Sequence, residues 1–244
     1  MCIFEETPLQ HLSFFFDFLS PYSFLAWKRF YGDYKKGVYE NKKISLYPVT
    51  LANIIHSHET KGPAEIEPKR EYLMRDCLRY ALANEIEFNP PILPFNSLYA
   101  LRISLEQCCG EHQWEVINLF YCAAWERGCD LGSDEVIKEL LEKEGYPAQQ
   151  WIEAVGDRVI RAELKKNTKM AINAGVFGLP TIIVRERIED DFGDGSELFW
   201  GNDSMDHLNR YIKGEDPFSK NSTHPLSEVY KEKLRLFQSR YQSL

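Results

Sequence analysis

The chain has 244 residues, of which 44% are hydrophobic, 27% charged and 14% aromatic, a composition that supports a full buried core without disulfide or metal staples. Lysine and arginine number 29 against 37 aspartates and glutamates, giving a formal net charge of −8, so the surface as a whole repels phosphate backbones and no nucleic-acid partner is expected. No apolar run approaches the about 18 residues of a spanning helix, so no membrane partner is expected either.

The opening residues Met1 to Glu6 carry no basic segment and no long apolar stretch, so a secretory signal is not expected and the expected location is cytoplasmic. Six cysteines, Cys2, Cys77, Cys108, Cys109, Cys122 and Cys129, include no C-x-x-C pair. They read as reduced, mostly buried thiols, with Cys108 and Cys109 as packing residues rather than a vicinal redox pair. His56 and His58 have no third ligand at metal spacing, so they read as surface histidines and no metal site is expected.

In chain order, the first element is a strand from His11 to Phe18. Leu12, Phe14, Phe16 and Phe18 form one face, and Phe15 makes the other partly apolar, as in a central buried strand. A helix is predicted from Tyr22 to Tyr31, with Ser20 as N-cap, Pro21 at the first helical position and Gly32 closing it. A second strand follows from Lys43 to Val49. From about Glu65 to Ala174 the pattern is helical, with Tyr72, Leu73, Leu78, Tyr80 and Leu82 as one apolar face. Further helices are predicted over Ser97–Gln107, Glu111–Glu126, Ser133–Lys143 and Ala148–Asn173.

Sheet character returns at Thr181 to Val184, directly after Pro180, and again at Leu198 to Trp200. The turn between them, Arg185 to Ser196, is charged and holds Glu186, Glu189, Asp190, Asp191 and Asp194. Gly201-Asn202-Asp203 opens a helix with Met205, Leu208, Tyr211 and Ile212 on one face. The tail repeats Leu226, Val229, Tyr230, Leu234, Phe237 and Tyr241 at helical spacing. That stripe either docks on its own domain or offers a partner or homodimer surface.

The order β-α-β, helices, β-β-α, with a proline before the third strand, is the layout of the thioredoxin fold. The expected class is α/β, a thioredoxin fold with a large all-helical insertion of the DsbA-like kind. Its core is expected at 10–63 and 175–213, its helical insertion at 64–174, and an amphipathic extension at 214–244. Where that fold carries its redox C-x-x-C, this chain reads Ser20-Pro21-Tyr22-Ser23. A hydroxyl cannot replace the thiolate of disulfide exchange at neutral pH.

Phe16-Asp17-Phe18-Leu19-Ser20-Pro21-Tyr22-Ser23 resembles the opening motif of 2-hydroxychromene-2-carboxylate isomerases and kappa-class glutathione transferases. Gly62-Pro63-Ala64-Glu65-Ile66, then Pro68 to Tyr72 with Arg75-Asp76, resembles the isomerases. Gly175 to Thr181 and Phe199-Trp200-Gly201-Asn202-Asp203 are similar to both. The resemblance implies a glutathione cofactor whose sulfur accepts a hydrogen bond from Ser20, the expected catalytic residue.

It further implies that Pro21 and Tyr22 adjoin the glutathione. Leu179, before a cis Pro180, would pair through its backbone with the cysteinyl part. Asn202 and Asp203 would hold the γ-glutamyl end, and Thr60 or Lys61 would add a contact. A helix N-terminus suits a thiolate, and a shift from about 8.5–9 to about 6.5–7 corresponds to about 3 kcal/mol. The implied activity is a glutathione-dependent isomerisation of a small conjugated aromatic keto-acid by reversible thiolate addition. The alternatives are a kappa-like transferase and a catalytically silent glutathione-binding protein. The helical block would supply a hydrophobic acceptor pocket, with Tyr22 and Trp27 as candidate walls and core packing as the alternative for Trp27.

Overall fold

The computed structural model describes residues 10–186, 192–193, 195–220 and 222–241. Cys2 and, in the acidic turn, Glu189, Asp190, Asp191 and Asp194 lie outside these residues.

Two compact units divide after Asn202. The first is built on a four-stranded sheet of order β2-β1-β3-β4, with β1 at His11–Phe16, β2 at Lys43–Pro48, β3 at Thr181–Arg185 and β4 at Ser196–Trp200. β1 pairs parallel with β2 and antiparallel with β3, and β4 closes antiparallel on β3. This is the mixed sheet of a DsbA-like thioredoxin fold.

Alternation along β1 sends its side chains to two separate cores. Phe14 and Phe16 pack with Trp27, Phe30 and Tyr121 in an aromatic cluster with ring centroids 5.0–6.4 Å apart. Phe15 faces the other way, against Val49, Ile54, Ala171, Val176, Leu179 and Ile183. Each fully buried phenylalanine contributes about 1.5–3 kcal/mol. Trp27 is fully buried and its indole donates to Asn118 Oδ1 at 3.3 Å, so it is core and not a pocket wall.

The helix α1, Pro21–Lys35, runs one turn past its predicted end at Gly32. Gly32 continues the right-handed helix, and the chain turns instead at Gly37, whose φ of +76° favours glycine. Between β2 and β3 lie α2 (Leu51–Ser57), α3 (Glu67–Ala83), α4 (Leu98–Ile103), α5 (Glu106–Cys109), α6 (Gln113–Trp125), α7 (Asp134–Lys143), α8 (Ala148–Ala154) and α9 (Arg158–Asn173). The predicted helix from Ala148 to Asn173 breaks at 155–157, where Asp157 takes an extended conformation as the N-cap of α9.

The predicted face of α3 is also misplaced. Leu73, Cys77 and Ala81 are buried, while Tyr72, Leu78 and Leu82 are exposed. Small Cys77 and Ala81 admit close packing at i, i+4 and i+8, which a pattern weighted by bulky side chains overlooks.

The second unit begins with Asp203 and contains α10 (Met205–Ile212) and α11 (Ser227–Tyr241). Met205, Leu208 and Tyr211 of α10 are buried as expected, and Ile212 is half-buried. On α11, Val229, Leu234 and Phe237 are exposed. No helix among the described residues is long and apolar enough to cross a membrane.

Two polar contacts tie the sheet together. His11 Nε2 meets Ser45 Oγ at 2.8 Å across to β2, while its Nδ1 faces the Arg185 guanidinium on β3. Burial, then the Arg185 charge, lowers the His11 pKa from 6.5 to about 4. The folded protein therefore holds the neutral ring, and this stabilisation is present above pH 6.5 and lost as pH falls toward 4. At the end of β1, Asp17 accepts from Leu19 N at 3.1 Å on one oxygen and from Leu51 N at 2.9 Å on the other. Burial raises its pKa against the pull of these donors.

Two outcomes follow. His11→Gln flattens the loss of stability between pH 6.5 and 4 in urea titrations, and an unchanged slope would remove His11 as its source. Asp17→Asn, whose amide must turn an NH₂ toward a backbone N–H, costs about 1–3 kcal/mol at neutral pH, measured by chemical unfolding.

Candidate functional site around Ser20

The turn between β1 and α1 is fixed from behind by α6. Trp125 Nε1 donates to Phe18 O at 2.9 Å and Tyr121 OH to Asp17 O at 3.4 Å. Ser20 N in turn donates to Asp17 O at 3.2 Å. Ser20 then caps α1 with an extended backbone (φ −92°, ψ 114°), accepting from Ser23 N at 3.1 Å, with Pro21 at the first helical position. Pro21 has no N–H, Ser23's is taken by the cap, and Phe24 N donates to Ser20 O. The Tyr22 N–H lacks an intrahelical acceptor and stands at the positive end of a 15-residue helix.

The Leu179–Pro180 peptide is cis, as predicted. Ser20 Oγ donates to Leu179 O at 3.2 Å, so the serine joins its own helix to the cis-proline segment. Gly201 N donates to Pro180 O at 2.9 Å, which brings the end of β4 and Asn202 alongside. Asn202 is buried, and its Oδ1 has no hydrogen-bond partner. Gly178 is required where it stands: a Cβ there would lie 2.6 Å from Trp200 Nε1.

The structure thus gathers Ser20, Pro21, Leu179, Pro180 and Asn202. Asp203 is exposed at the start of the second unit. Thr60 and Lys61 are exposed in the loop after α2. That loop is joined to the cis-proline segment by His58, whose Nε2 donates to Val176 O at 3.0 Å. His58 is therefore a tether between two loops, a role that the H-x-H reading overlooked because its partner is a distant carbonyl. Tyr22 is partly buried and its hydroxyl donates to Asp76 Oδ2 at 2.9 Å, linking α1 to α3. Burial, then this bond, pushes its phenol pKa up.

Four of the chain's thiols are held in the protonated form. Burial pushes Cys77 and Cys109 up to about 12, and Cys108 and Cys122 up to about 11. Cys109 Sγ donates to Leu105 O at 3.3 Å, and Cys108 is directed toward Trp151 O. Among the described residues no three His, Cys, Asp or Glu side chains are grouped as a metal site.

The arrangement offers one hydroxyl donor, one helix N-terminus whose Tyr22 N–H lacks an intrahelical acceptor, one backbone carbonyl and one unsatisfied amide oxygen. Together these suit a polar ligand that brings both an acceptor and N–H groups. The chain is 27% identical over 207 residues to a 2-hydroxychromene-2-carboxylate isomerase of Sphingobium xenophagum, covering 82% of this chain and 97% of that protein. It is 26% identical over 221 residues to glutathione S-transferase kappa 1 of Rattus norvegicus, covering 84% and 91% respectively. Among solved structures, a 2-hydroxychromene-2-carboxylate isomerase superposes with a TM-score of 0.71 at 24% identity, over 83% of this chain and 94% of that one. Residues 11–213 match the DSBA-like thioredoxin domain, and the chain belongs to that family.

Proposed function

We propose that the chain is a glutathione-dependent isomerase of the 2-hydroxychromene-2-carboxylate type, acting on a small conjugated aromatic keto-acid. The observation that carries the reading is the pairing of Ser20 with the cis Leu179–Pro180 segment, a hydroxyl where disulfide exchange would need a thiol. Curated relatives with this combination of names, isomerase and kappa transferase, support it across most of the chain.

The residues present fit glutathione. Buried Asn202 Oδ1 lacks a donor, which an ammonium or amide N–H of the tripeptide would supply. Leu179 O is placed to accept from a peptide N–H, as in an added strand. Glutathione, when bound, supplies a thiolate that adds reversibly to a conjugated carbon and leaves after bond rotation.

Ser20 has a single proton, which it gives to Leu179 O. To face a sulfur it must turn that proton away, and the turn frees Leu179 O for a ligand N–H. One rotation thus exchanges a protein–protein bond for two ligand bonds. Tyr22 N–H and the positive end of α1 add to the stabilisation of a thiolate. His58 and Gly178 position the surrounding loops. Asp203 and Thr60 remain proposed contacts to the γ-glutamyl end and the loop side.

The similar match to kappa transferases favours a second reading, in which the electrophile keeps the thiol. Ser20→Ala is expected to lower turnover at least tenfold, about 1.4 kcal/mol or more in barrier, with thermal unfolding little changed. An unchanged rate would assign activation to the helix end alone. Glutathione at millimolar levels is expected to raise the melting temperature, and absence of both binding and stabilisation would sink both enzyme readings. With an accepted aromatic keto-acid, glutathione is expected to be recovered in full. Stoichiometric consumption with every substrate would leave the transferase.

A further inference from the structure

A cavity of about 760 Å³ opens beside the turn that carries Ser20. Asp17 and Leu19 form one wall, and Arg102 of α4 with Arg158, Arg161 and Lys165 of α9 form the other. Leu19, Phe95, Leu98 and Leu164 also line it, so this cationic wall stands beside apolar surface of the kind expected from the helical block. The wall's charge runs against the overall balance of −8.

None of the four cations has a carboxylate partner among the described residues. Arg102 Nε is buried without a hydrogen-bond partner. Burial, then the Arg161 charge, holds Arg102 below its ordinary value, so the two guanidinium groups feel each other. The one carboxylate in the wall, Asp17, has an oxygen engaged by each of the Leu19 and Leu51 N–H groups. The four cations therefore outnumber the cavity's single carboxylate, whose oxygens already serve backbone donors. The first turn of α9 lies on the same wall, and its N-cap Asp157 makes no side-chain capping bond.

We infer that this cavity binds a multiply charged oxyanion, such as a phosphate ester. A single carboxylate would neutralise one charge of four, whereas a dianion or larger can engage two planar guanidinium forks and an ammonium together. Leu19 in the wall directly precedes Ser20, so the anion would be held next to the proposed thiol site. The inference does not rest on the proposed keto-acid reaction: the oxyanion would be a second ligand, held beside the thiol site.

Calorimetry on the full chain without glutathione, at fixed ionic strength, tests it with pyrophosphate, phenyl phosphate and benzoate. Pyrophosphate and phenyl phosphate are expected to bind at least about tenfold more tightly than benzoate. The double variant Arg161→Gln, Lys165→Gln, both at exposed positions, is expected to lose about tenfold in pyrophosphate affinity while glutathione affinity is kept. Lys165→Glu is a second, charge-reversing probe with the same expected direction. No phosphate binding, equal binding of benzoate, or full affinity in both variants would overturn the inference. Loss of glutathione binding with phosphate binding intact would overturn the proposed function and leave the oxyanion site standing.

Discussion

The hydrogen bond from Ser20 Oγ to Leu179 O is the contact on which the site depends. It spans 159 positions in sequence and joins the start of α1 to the strand that returns after the whole helical insertion. Neither end is free to drift. Ser20 is held by its own helix cap and by a turn whose carbonyls are fixed by Trp125 and Tyr121. Leu179 is packed against Phe15 and Val176, and Pro180 is bonded to Gly201. A small polar contact is thereby placed with the rigidity of the core.

Much of this was legible in the residues. The serine-proline step, the run of alternating phenylalanines and the proline before a β-branched strand each impose a local geometry, and each holds. The N-cap follows from the serine-proline step, and the cis peptide was implied by the family resemblance. What was not legible depends on partners far away in sequence. His58 is exposed, as read, but its bond to Val176 O, 118 positions distant, could not be seen in the sequence. Trp27 was open between wall and core, and its bond to Asn118, 91 positions away, settles it as core. The buried face of α3 was hidden because it is built on Cys77 and Ala81, whose modest side chains carry little weight in a hydrophobic pattern.

The charge distribution adds a second theme. An acidic chain concentrates four cations, none with a carboxylate partner among the described residues, around one cavity beside its candidate site. Self-repulsion within such a cluster is unfavourable, and folding must offset it with contacts elsewhere. The Arg102–Arg161 repulsion is thus a local cost carried by the wall of the cavity, in the same unit as the Ser20–Leu179 contact.

The buried thiols have a consequence for chemical self-protection. A protein that handles soft electrophiles places its own nucleophiles at risk of alkylation. With pKa values of about 11 to 12, Cys77, Cys108, Cys109 and Cys122 are ionised to only about one part in ten thousand or less at neutral pH. A thiol activated at the helix end would outcompete them by its ionised fraction alone. Burial therefore shields these four thiols from the alkylation that the proposed chemistry would invite.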